Sequence, residues 1–111
     1  MQNDKTYYRR FSNGNDYQIE YPDAVFPFEY HKIQLFTSEK DGEWVATEVK
    51  TGYKLGGVCA TQQEAEDAAR AAIDKHGINP TKHSIKEALL SIKQGLFYDE
   101  EAKKWQKPME V

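Results

Sequence analysis

Through the first sixty residues apolar and polar positions alternate with a period of two, the spacing of strands that bury one face. Over 6–21, Tyr7, Arg9 and Phe11 alternate with Tyr8 and Arg10, and Tyr17, Ile19 and Tyr21 alternate with Gln18 and Glu20. Asn13-Gly14 between them supplies residues that tolerate left-handed dihedrals, so the pattern predicts a hairpin. Arg9 or Arg10 facing Asp16 or Glu20 across that hairpin gives both arginines a cross-strand role. Pro22 and Pro27 then bracket a connector in which Val25, Phe26 and Phe28 tuck against the core.

Three further strand-length runs, 29–37, 43–50 and 53–60, are separated by Ser-Glu-Lys-Asp-Gly and Thr-Gly, both turn chemistry. They predict a three-stranded antiparallel meander. Ile33 and Leu35 fall on one side of the first run, Tyr30 and Phe36 on the other, so the sheet is expected to be covered on both faces or by a partner. Gly56-Gly57 inside the last run marks a bulge or a close backbone approach.

At Thr61 the period changes from two to 3.6. Thr61-Gln62-Gln63-Glu64 is a capping-box pattern, and Ala65, Ala68, Ala69, Ala72 and Ile73 form a stripe of small side chains that lets a helix lie close to a sheet. Arg70, Lys75 and His76 fall late in the helix, as its dipole favours, and Gly77 ends it. Beyond Pro80, Ser84-Ile85-Lys86-Glu87 repeats the capping pattern and predicts a second helix over 84–94 with Ile85, Ala88, Leu89 and Ile92 on its apolar side. The segment 96–107 reads as a short hairpin or helix, with Leu96, Phe97, Tyr98 and Trp105 favouring strands. Together these elements predict one α+β domain over 1–111. It comprises an N-terminal hairpin (6–21), a βββα unit (29–76) with its alanine-faced helix, a second helix and a C-terminal element.

Composition narrows the function more than it names one. Aromatic residues make up 13% of the 111 residues, enough buried area for a stable core without disulfide or metal support. Fifteen basic and 18 acidic side chains leave a net charge of -3, which argues against sequence-independent binding to a polyanion as the main task. The single cysteine rules out an internal disulfide and suits a reducing compartment; the polar start MQNDKTYYRR and the absence of a long apolar run predict no leader and no membrane span, hence a cytoplasmic location.

Chemistry-bearing patterns are sparse. Gly56-Gly57 matches neither GxGxxG nor a glycine-rich loop ending in Gly-Lys-Ser/Thr, so no phosphate cradle is expected. Cys59 lies inside an apolar strand and reads as a hidden small hydrophobe, not a nucleophile. His31, His76 and His83 lack the i, i+4 spacing of a helical metal site and have no second cysteine to join them; no metal, cofactor or catalytic constellation is expected.

What stands out is the excess of rings. Tyrosine, tryptophan and arginine build binding hot spots, and Tyr7, Tyr8, Arg9, Arg10 and Trp105 are the candidate contacts of a non-catalytic protein-binding module, acting as inhibitor, adaptor or subunit. A homodimer is one way for such a chain to cover its second sheet face. The alternative is nucleic-acid binding. Three strands followed by a helix over 29–76 resemble, in topology alone, the sheet-plus-helix DNA-binding domains at the start of some phage integrases and half of a double-stranded RNA-binding domain. That resemblance implies a sheet face presenting Lys32, Lys50 and Lys54 with Arg10, among which Glu29, Glu48 and Asp41 dilute the positive field.

Overall fold

Two turn geometries decide how the sheet is cut into strands. The computed structural model describes residues 7–13, 16–99 and 104–106. Asp41-Gly42 has positive φ at both positions (54° and 80°), the mirror-image turn that joins twisted antiparallel strands, and it links β4 (Ile33–Lys40) to β5 (Glu43–Glu48) as the sequence indicates. His31 and Lys32 adopt the same geometry (φ 50° and 69°) and divide the stretch read as one strand over 29–37. Residues ahead of that turn form β3 (Phe26–Tyr30), so the meander gains a fourth strand and the expected connector is partly sheet. Pro27 is accommodated because β3 lies at an edge, where a missing N–H interrupts no ladder on its open side.

The order of this sheet is β3-β4-β5-β6, with β6 at Lys54–Cys59 and every neighbour antiparallel. The β5–β6 register slips between Trp44 and Ala46, opposite the glycine pair. Gly56 has φ +82°, and a Cβ there would lie 3.0 Å from the backbone and Cβ of Ala68. The glycine therefore serves close approach of sheet and helix.

Helix α1 (Gln62–His76) starts at Thr61, whose Oγ1 accepts from Glu64 N–H at 3.1 Å. The reciprocal half of the capping box differs from expectation: Glu64 Oε1 accepts from the Thr61 hydroxyl at 3.2 Å. Ala65, Ala69 and Ile73 are buried, and Ile73 packs with Ile33 and Leu35.

The second helix begins six residues before the predicted start. α2 runs from Ile78 to Lys93, directly after Gly77, which closes α1 by donating to Ile73 O and opens α2 by accepting from Thr81 N–H and Oγ1. Pro80 falls in the first turn, where backbone N–H groups have no intrahelical partner, so it breaks nothing. Ser84-Ile85-Lys86-Glu87 is accordingly a mid-helix sequence and not a cap.

Two ribbons complete the fold. β1 (Arg9–Asn13) pairs with β2 (Asp16–Glu20), and Arg9 meets Glu20 in both register and ion pair at 3.0 Å; Gly14 of the expected turn lies outside the described residues. β7 (Phe97–Asp99) pairs with β8 (Lys104–Gln106), which settles the C-terminal element as a hairpin. Leu35 and Ile33 face the helices, whereas Phe36, Ser38, Val45 and Thr47 share the opposite face and are also buried. Tyr7 closes on Phe36 from that side, edge to face at 5.3 Å. Over the two central strands both faces are covered within the chain.

Candidate binding groove

The turn after β5 is organised by a buried acid. Glu48 is 3% exposed, and its carboxylate accepts from Lys50 N–H (2.9 Å), Thr51 N–H (2.8 Å) and the Thr51 hydroxyl (2.7 Å). Such hydrogen bonds to an ionised acceptor are strong and locally fix the backbone. Glu48 and Tyr53 close the loop through Glu48 N–H to Tyr53 O, at 2.9 Å.

The N-terminal strand clamps this turn from outside. Arg10 N–H donates to Gly52 O, its Nε donates to Thr51 O at 3.1 Å, and Tyr8 donates to Lys50 O at 2.9 Å. Gly52 (φ +77°) leaves room for the Tyr8 ring, which a Cβ at 52 would meet at 2.5 Å. The guanidinium of Arg10 lies 5.5 Å from the centre of the same ring.

Held in this way, the turn forms one wall of a two-lobed groove whose other wall is α2. The larger lobe has a volume of about 390 Å³ and is floored by Leu55, Ala72, Ile85 and Ala88, with Tyr53 and Trp105 at one side. Those two rings pack edge to face at 5.8 Å. His76 and Ser84 stand at its exposed rim, with Ser84 Oγ 3.4 Å from His76 Nε2, a loose contact at the limit of a hydrogen bond. The smaller lobe, about 290 Å³, gathers Lys32, Lys50 and Lys82 from three separate elements around Gln34. Glu48 and Ile85 line both lobes and join them.

Sequence reasoning and geometry divide here. Of the residues proposed for a protein partner, Tyr7 packs on Phe36, Tyr8 and Arg10 hold the turn, and Arg9 pairs with Glu20; Arg10 is only 8% exposed. Trp105 lines the groove. Of the nucleic-acid set, Lys32 and Lys50 line the small lobe and Lys54 edges the large one, while Arg10 is buried behind the turn that carries Lys50 and lines neither lobe. Lys82 lies ahead of the helix start predicted at 84 and joins the lysines from α2, which begins at Ile78. Glu48 carried one local signal, an acid near the end of a strand-forming run and one residue ahead of a Lys-Thr-Gly turn.

Cys59 is half-buried with its Sγ 3.6 Å from Gly57 O, so the thiol is less hidden than its strand position suggests. Among the described residues no group of three His, Cys, Asp or Glu side chains is placed to hold a metal ion, and no helix is long and apolar enough to cross a membrane. Comparison with protein-family models, curated proteins and solved structures finds no match.

Proposed function

We propose that the chain is a non-catalytic, cytoplasmic protein-binding module, an inhibitor, adaptor or subunit, that receives a segment of another protein in the groove between α2 and the Glu48–Tyr53 turn. The supporting observation is the open lobe of about 390 Å³, floored by aliphatic side chains and flanked by the Tyr53–Trp105 pair. A concave apolar floor with a few convergent polar groups is the usual form of a recognition site, and aromatic walls give contact area at small entropic cost. Of the aromatic and arginine side chains expected to meet a partner, Tyr8 and Arg10 support this wall from behind and Trp105 lines the groove itself.

A photo-reactive phenylalanine analogue at exposed Ser84 tests the reading in cells that make the protein. The expected result is a discrete adduct at Ser84 and none with the analogue at Val58, which is 51% exposed and outside the groove lining. Equal labelling at both positions, or none at Ser84, opposes it.

The convergence of Lys32, Lys50 and Lys82 favours one second reading, nucleic-acid binding. With both faces of the central strands covered, the nucleic acid would meet this lysine-lined end of the molecule and not the middle of a sheet face. Retardation of DNA or RNA at low salt, lost as salt rises, supports it; no retardation at low salt removes it.

A further inference from the structure

Resting on the protein-binding reading, we infer that the groove selects an acidic peptide segment in which a large apolar side chain is flanked by Asp or Glu. The larger lobe takes the apolar side chain and the smaller lobe takes the carboxylate. Lys32 in the β3–β4 turn, Lys50 in the clamped turn and Lys82 in α2 are all exposed, and among the described residues none of the three is in an ion pair. Three lysines of like charge lining one small concavity repel one another, and an anion placed between them relieves that repulsion.

Glu48 does not supply that anion by direct contact: its oxygens accept from the turn it organises, and among the described residues it forms no ion pair with any of the three lysines. Its charge tempers the field and leaves an excess of positive charge, suited to one or two carboxylates and not to a polyanion. The neighbouring floor of Leu55, Ala72, Ile85 and Ala88 offers little to a second phosphate and much to a Leu, Phe or Trp side chain. Since the lobes meet at Glu48 and Ile85, the acid and the apolar side chain must be close together along the bound segment.

The experiment is selection from a random peptide library displayed on phage against the full chain, followed by fluorescence anisotropy of the enriched peptides as labelled synthetic probes. Enriched sequences are expected to place Asp or Glu within a residue or two of Leu, Phe or Trp. The Lys50→Glu/Lys82→Glu variant, altered only at exposed side chains, should bind them roughly tenfold more weakly. Exchanging the peptide acids for lysines should restore binding to that variant and not to the wild type, a reversal that a mere folding defect cannot produce. Ser84→Trp, which fills the mouth of the larger lobe, should abolish binding while circular dichroism stays native.

Neutral or basic peptides that are lost with Ser84→Trp but indifferent to the lysine reversals would overturn the acidic-segment inference and leave the protein-binding groove standing. Absence of enriched peptides, or peptides indifferent to Ser84→Trp, overturns both. Binding of a single-stranded oligonucleotide through the same lysines, with no peptide selected, transfers the site to nucleic acid and overturns both as well.

Discussion

At the scale of single residues, Glu48 shows how a buried acid acts by what it accepts. One carboxylate oxygen takes the Lys50 amide and the other takes the amide and hydroxyl of Thr51. Glu48→Gln places an NH₂ against one of those amides whichever way the side chain is turned, so urea denaturation should report a loss of about 2 kcal/mol. Tyr30 is a second residue with a defined partner: its hydroxyl donates to both oxygens of Asp74, at 2.8 and 2.9 Å. That hydrogen bond, and secondarily desolvation and the nearby negative charge, raise its pKa above the ordinary 10.0, while Arg70 opposes the shift. Because the folded state holds the proton longer than the unfolded chain, the contribution to stability is complete below about pH 10 and disappears as pH rises through the elevated value. The Tyr30 component of a tyrosinate absorbance titration, taken as the difference between the parent and Tyr30→Phe, should ionise above pH 10, and Asp74→Asn should lower that midpoint.

At the scale of elements, strand and helix identity were legible wherever residues themselves dictate geometry. Asp41-Gly42 is chemically suited to its turn, Thr61 to its cap, and the alanine stripe to close packing, and each stands where the pattern put it. What escaped were geometries imposed by surroundings. His31-Lys32 adopts positive φ without glycine, asparagine or aspartate to announce it, and so β3 was concealed within a connector. Pro80 reads as a barrier to helix but sits in the first turn of α2, where no ladder bond is available to lose. Pro80→Ala should therefore change stability by no more than about 1 kcal/mol, whereas Ser84→Pro in the same helix should cost about 3 kcal/mol or more. Thermal unfolding of the two variants distinguishes a helix beginning at Ile78 from one beginning at Ser84. The groove was illegible for the same reason, since its lysines come from a turn, a loop and a helix whose juxtaposition depends on these two boundaries.

For the whole molecule, the main consequence of the chain order is a sheet insulated on two sides, by helices against Leu35 and by the N-terminal segment against Phe36. Phe36 is fully buried, so Phe36→Ala should lower stability by about 3–5 kcal/mol, measured by denaturant titration. The same face buries the Ser38 and Thr47 hydroxyls, and neither finds a hydrogen-bond partner among the described residues. Thr47→Val keeps the shape and removes a poorly solvated oxygen, and it should stabilise the fold by about 1 kcal/mol in the same assay.

The contact of Gly56 with Ala68 sets a further limit. One turn beyond Ala68 on α1, Ala72 belongs to the floor of the larger lobe, so the spacing between sheet and helix also sets the depth open to whatever enters. A methyl group added at 56 shifts that part of the floor, and the depth offered to a guest is thereby calibrated by a hydrogen atom on the side of the helix turned away from solvent.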